Sequence, residues 1–154
     1  MNIFSFLRKK KVFFSAADNQ QIVEAIRQAE RETSGEIRIY VESENPYMDA
    51  IERAKEIFFD LKMEHTQERN AVLLYIAMDH RELALFADEG IYNRAGAVYW
   101  DNAVKNMIAQ FTKSNISNGI EKCVAQIGET LKKEFPYNAA TDKNELPDDI
   151  VFGK

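Results

Sequence analysis

Residues 71–88 read AVLLYIAMDHRELALFAD. The first eight, Ala71 to Met78, form a continuous apolar run bounded by polar residues, which predicts a central strand buried on both faces of a sheet. Only Asp79-His80-Arg81 separates it from Glu82–Asp88. So few residues allow only a hairpin return to an antiparallel strand, which Gly90 would end.

Working outward toward the N-terminus, residues 47–62 place Ile51, Ala54, Phe58 and Leu61 at spacings of three and four, predicting an amphipathic helix with Pro46 at its first turn. Before it, Glu36–Glu42 (EIRIYVE) alternates Ile37, Ile39 and Val41 with Glu36, Arg38, Tyr40 and Glu42, the period of a half-buried strand. Strand, helix and strand imply a right-handed crossover and a parallel pair. Residues 15–33 (SAADNQQIVEAIRQAERET) carry Ile22, Ile26 and Ala29 on one helical face, with Gly35 expected as the C-cap.

Toward the C-terminus, residues 91–113 predict one long or two short helices, with Asp101 as a cap between them. A last helix, capped by Ser117, buries Ile120, Val124, Ile127 and Leu131 and stops at Pro136. The layout predicts an α/β fold, a three-layer α/β/α sandwich with a small mixed sheet and helices on both faces. Three regions follow: a basic, aromatic arm (1–15), the domain (16–136) and an acidic, extended tail (137–154). A fourth strand is expected at Val12-Phe13-Phe14 or at Ile150-Val151-Phe152.

The 154 residues suit one domain, and 45% hydrophobic with 29% charged residues excludes a disordered or fibrous chain. A net charge of -5 argues against a nucleic-acid partner. The arm MNIFSFLRKKKVFFS splits its apolar residues around Arg8–Lys11, the wrong order for a signal peptide, and no run approaches the roughly 20 apolar residues of a membrane span. Contact of residues 1–15 with an anionic membrane surface is one reading; packing of their aromatic residues on the domain is favoured.

The common catalytic signatures are absent: no phosphate-binding P-loop, GxGxxG, GxSxG or HExxH occurs. Cys123 reads as a buried small apolar residue within the last helix, and His65 and His80 as exposed loop residues without ligand spacing. Topology nevertheless brings distant carboxylates to one sheet edge. Glu36, Asp88 and Glu89, with Asn70, Asp101 and carbonyls near Gly90, would make an all-oxygen site for calcium, or for magnesium. Arg69 would balance the carboxylates or hold an anion such as phosphate. Against this stands an ordinary arrangement in which Glu36 pairs with Arg69, Asp101 caps a helix and Asp88 closes a turn. At the opposite edge Glu42, Glu44 and Asp79 form a second-choice acidic cluster, beyond the carboxyl ends of the parallel strands where ligands often bind.

The runs AERETSGEIRIYVE (29–42), ERNAVLLYIAMDHRELALFADEGI (68–91), YWD (99–101) and GIEKCVAQIGETLKKEFP (119–136) resemble the TPM domain family, named after a thylakoid lumen protein, a photosystem repair protein and a nematode modulator of acetylcholine receptors. The resemblance covers about residues 16–136 and implies an α/β/α sandwich. It also implies divalent-cation binding in some members, weak acid phosphatase activity in the plant lumen member, and roles without catalysis in maintaining membrane complexes in others. The positions that match its recurring polar residues are Ser34, Gly35, Glu36, Arg69, Asn70, Asp88, Glu89 and Gly90. Many members carry a signal peptide and a transmembrane or Gly-rich segment, which this sequence does not show; it resembles the stand-alone bacterial form, for which a cytoplasmic location is expected.

Two functions follow from this reading. One is a non-catalytic module that binds a divalent cation, foremost calcium, and recognises a protein partner. The other is a weak metal-assisted phosphatase acting on phosphomonoesters, with Arg69, Asp88 and Glu36 as its catalytic groups.

Overall fold

A computed structural model describes residues 13–46, 49–113, 115–139 and 146–153. The elements run α1 (Ala16–Glu30), β1 (Glu36–Glu42), α2 (Ala50–Asp60), β2 (Ala71–Ala77), β3 (Glu82–Ala87), α3 (Glu89–Ala95), α4 (Ala97–Lys113), α5 (Ile116–Glu134) and β4 (Val151–Phe152). They build one sheet in the order β3-β2-β1-β4, with β1 parallel to β2 and β4 and with β2 antiparallel to β3. This is the expected α/β/α sandwich, with a mixed sheet and the fourth strand supplied by the tail.

Two apolar layers hold it. On one face Ile37, Ile39 and Val41 of β1 and Val72, Leu74 and Ile76 of β2 meet α1, α4 and α5 through Ile22, Ile26, Met107, Phe111, Val124 and Ile127. On the other, Leu73, Tyr75 and Ala84 meet α2 through Ala54, Ile57 and Phe58. Each fully buried Ile or Leu here contributes about 1.5–3 kcal/mol relative to exposure. The all-buried β2 is the run AVLLYIA read as a central strand.

β1 departs from the expected half-buried pattern. Glu36, Arg38 and Glu42 are buried as well as the isoleucines. α2 and Leu146 cover that face, and β4 closes the edge, Tyr40 pairing with Val151 and Val41 with Phe152, so β1 is an inner strand. Among the described residues of the tail, Ile150 lies in the larger core and Leu146 in the smaller, in keeping with an extended, partly ordered segment. At the other end of the described chain, Phe13 stacks on Phe152 with 6.0 Å between ring centroids, and Phe14 lies 6.4 Å from the same ring. Aromatic packing therefore fixes the root of the arm, while its residues 1–12 lie outside the described ones.

Several boundaries move for local reasons. Asp49, not Pro46, opens α2, its carboxylate accepting from the Ile51 N–H at 3.1 Å. Asn115 rather than Ser117 caps α5. The break between α3 and α4 falls at Gly96, where φ is +88°, a conformation glycine adopts without steric penalty. Asp101 therefore lies inside α4 and caps nothing. Arg31 ends α1, and Gly35 serves close approach instead: a Cβ there would lie 2.6 Å from a Leu131 methyl.

Candidate functional site

The N-terminal ends of β1 and β2 gather most of the residues singled out in the sequence, but divide them between two clusters. Glu36 stands opposite Ala71 in the β1–β2 pairing, and the Asp88 N–H donates to the Ala71 carbonyl at 2.9 Å. Glu36 and Asp88 thus flank β2 from either side, about two strand spacings or 10 Å apart. Their carboxylates have different neighbours.

Asp88, 3% exposed, caps α3 by accepting from the Glu89 N–H at 2.8 Å. Arg69 grips it with Nε at 2.7 Å and Nη2 at 2.9 Å, and reaches Glu89 through Nη1 at 3.2 Å. The Asp88 bond is the chief reason the Arg69 guanidinium is held above its ordinary pKa. Arg69 itself adopts a left-handed backbone, φ +54°, and its carbonyl accepts from the Gly90 N–H at 2.8 Å. A Cβ on Gly90 would come within 2.6 Å of that carbonyl, so glycine here admits the backbone of residues 68–69, not an ion. The result is a staple between the segment before β2 and the start of α3. Arg69 thus pairs with Asp88 and Glu89, and Glu36 is not its partner. Asn70, buried beside it, donates through Nδ2 to Ser34 Oγ at 3.2 Å and receives no carboxylate. Asp101 is exposed on α4.

Glu36 belongs to the other cluster. Together with Glu30, the last residue of α1, and Asp148, just before β4, it forms a group in which one carboxylate oxygen from each residue lies within 4.8 Å of the others. Glu30 also accepts from the Ile37 N–H at 2.7 Å, which anchors the end of α1 on β1. Burial, then a shared hydrogen bond with Asp148, then the charge of Glu36 push the Glu30 carboxyl far above its ordinary value of 4.5. The exposed Arg27 places its Nε 3.8 Å from Asp148. Glu30 and Asp148 were not singled out in the sequence. Glu30 follows Ile22 and Ile26 at helical spacing along the buried side of α1, and Asp148 lies in an unpatterned tail; the placement of β4 beside β1 brings Asp148 to Glu30.

The second-choice cluster at the far end of β1 is a closed ion pair. Arg53 Nε and Nη2 both donate to Glu42 at 2.8 Å, and Nη1 donates to Glu56 at 2.6 Å. Tyr75 adds its hydroxyl to Glu42, and burial followed by that bond raises the tyrosine pKa. Glu44 and Asp79 are exposed, and the Asp79 N–H is used on the Ser43 carbonyl at 2.9 Å. His65 and His80 are exposed too, while Cys123 is fully buried with its thiol pushed up to about 12 by burial. Among the described residues no thiol or imidazole is placed as a nucleophile.

A three-layer α/β/α domain with its polar residues gathered where β1 and β2 begin defines the class of protein. The sequence profile of the TPM domain matches residues 8–130, and the chain belongs to that family. In three dimensions it is similar to the BA42 protein of the psychrophilic bacterium Bizionia argentinensis, solved by NMR, with a TM-score of 0.85 and 34% identity over 94% of this chain and 99% of that one. No curated protein sequence matches it. No helix among the described residues is long and apolar enough to cross a membrane.

Proposed function

We propose that this TPM domain is a non-catalytic module that binds a divalent cation, foremost calcium, at Glu30, Glu36 and Asp148, and that works through a protein partner. The observation that carries the reading is the convergence of three carboxylates from three elements within 4.8 Å. An all-oxygen donor set suits calcium or magnesium and is a poor match for zinc or copper, which favour nitrogen and sulfur. The proton that Glu30 retains stands where a cation would discharge the cluster, so cation and proton compete and apparent affinity rises with pH. Glu36, fixed on an inner strand, supplies the rigid ligand; Asp148 brings the segment leading into β4.

The Asp88 side is less suited to a cation, because both Asp88 oxygens and one Glu89 oxygen are engaged by Arg69. The same pairing occupies the guanidinium that a phosphatase would direct at its substrate.

Thermal unfolding of chelator-treated protein, titrated with calcium and separately with magnesium, tests the reading. A ligand that binds only the folded state adds about 2.7 kcal/mol at a hundredfold excess over Kd. A rise in Tm that Glu36→Gln removes is expected. No rise with either ion at saturating concentration overturns the cation site. A phosphomonoesterase rate that is lost in Glu36→Gln would replace the non-catalytic reading with the enzymatic one.

A further inference from the structure

Beyond Ser34, on the outer side of the strand ends, lies a cavity of about 480 Å³ lined by Ser34, Glu68, Arg94, Glu134, Phe135 and Tyr137 among others. One arginine shares the lining with these acids. Arg94 Nη1 donates to the Glu134 carbonyl at 2.7 Å, and the guanidinium lies 4.2 Å from the centre of the Phe135 ring. Among the described residues the side-chain carboxylates of Glu68 and Glu134 have no ion-pair partner, and Tyr137 leaves 49% of its surface exposed. Two acids against one arginine leave the lining with a net negative charge beside an open aromatic ring, which suits a cationic group with apolar neighbours.

The chain supplies that chemistry itself. Its longest basic run, Arg8-Lys9-Lys10-Lys11, is flanked by Phe6-Leu7 and Val12-Phe13. Lys9, Lys10 and Lys11, whose side chains add only about 6 Å to the reach of the backbone, fall short of the cavity of their own molecule. Phe13 is stacked on Phe152, which pairs with Val41 at the far end of β1. From Val41 back to Ser34 is about 23 Å at the rise of a strand. Four residues back from Phe13, even fully extended, the backbone of Lys9 is within about 14 Å of that anchor.

We propose that the cavity takes the basic segment Arg8–Lys11 of a second copy of this chain, with Glu68 and Glu134 pairing with its cations and Phe135 and Tyr137 packing on its apolar neighbours. Reciprocal exchange of two arms closes a twofold dimer. The inference is independent of the cation site, since none of Glu30, Glu36 and Asp148 lines the cavity.

Sedimentation velocity of the full chain over a range of concentrations and salt provides the test. Wild type is expected to dimerise at low salt and to dissociate as salt screens the contact. Glu68→Lys with Glu134→Lys, and separately Lys9→Glu with Lys10→Glu, are each expected to give monomers, and the four substitutions together to restore the dimer. A wild-type monomer at every concentration, association indifferent to either charge reversal, or no restoration in the fourfold variant overturns the proposal. Circular dichroism reports whether the variants fold. Should the lysine pair at 68 and 134 unfold the chain, a synthetic peptide of residues 1–12 added to the wild-type protein must dissolve the dimer, and failure to compete overturns the proposal equally. A wild-type monomer that sediments with anionic vesicles, and ceases to do so in Lys9→Glu with Lys10→Glu, would assign the arm to a membrane surface instead.

Discussion

Glu36 and Glu42 begin and end the same strand, share a face of it, and are 2% and 4% exposed. Their surroundings are opposite in sign. Glu42 is held by two guanidinium bonds and a tyrosine hydroxyl, so its charge is matched inside the fold. Glu36 faces two further acids, Glu30 and Asp148, and the Glu30 carboxyl holds its proton well above the ordinary range. A buried acid with an internal counter-charge needs nothing further, whereas one placed among other acids keeps its neighbours protonated until a cation replaces the proton. Burial alone does not separate structural from functional carboxylates; the sign of the partners does.

The largest effect should come from breaking the matched end. Arg53→Ala leaves Glu42 buried without its counter-charge, a change that typically costs about 3–5 kcal/mol. Urea unfolding monitored by circular dichroism should show it, and a loss below about 1 kcal/mol would mean that Glu42 is not held by Arg53 in solution. Tyr75→Phe removes only the hydroxyl bond to that carboxylate, for which about 1.5–3 kcal/mol is expected, hydrogen bonds to charged groups lying in that range. If Tyr75→Phe were neutral, the matched end would rest on the arginine alone.

The layers of the fold were legible because each rests on a local pattern: the continuous run 71–77, the alternation of 36–42, and the helical stripe Ile120, Val124, Ile127, Leu131. The hairpin and the parallel crossover followed from connection lengths. The partners of Glu36 were not legible in the same way. Alternation sets Glu36, Arg38 and Glu42 apart from the isoleucines, but their burial depends on α2 and on the tail segment that ends in β4, 109 positions after Glu42. Arg69, Asp88 and Glu89 were foreseen at one sheet edge and do meet there. What sequence could not supply was that the arginine would engage both acids, since whether a charge cluster is matched depends on rotamers set by packing and not on spacing.

The end of β1 that gathers three acids should respond to pH through Glu30. Glu30 has its folded-state pKa raised above 4.5 by burial, by Asp148 and by Glu36, so its contribution to stability is fully present below 4.5 and is lost as pH rises through the folded-state value. In chelated protein, one such proton gives a decline of at most about 1.4 kcal/mol per pH unit between 4.5 and the folded-state value, and none above it. Glu30→Gln should flatten the decline, and a saturating cation should reverse it, because the ion then takes the place of the proton. A chelated wild type whose midpoint is level from acid to mildly alkaline pH would mean that the three carboxylates lie farther apart in solution and would weaken the contrast with Glu42.

The smallest effect should come from Glu89→Gln, and it decides which acids see the cation. The Glu89 side chain is 66% exposed and shares Arg69 with the buried Asp88, so the guanidinium keeps its two bonds to Asp88 when Glu89 loses its charge. Exposed ion pairs contribute about 0–1 kcal/mol, and the unfolding midpoint should barely move. The cation response should also stay intact, because Glu30, Glu36 and Asp148 are untouched. If Glu89→Gln removed the calcium-dependent rise in Tm while Glu36→Gln preserved it, the ion would be held beside Arg69, the guanidinium would have to swing away from Asp88 to admit it, and the acids at the start of β1 would be a proton-sharing joint between α1, β1 and the segment before β4.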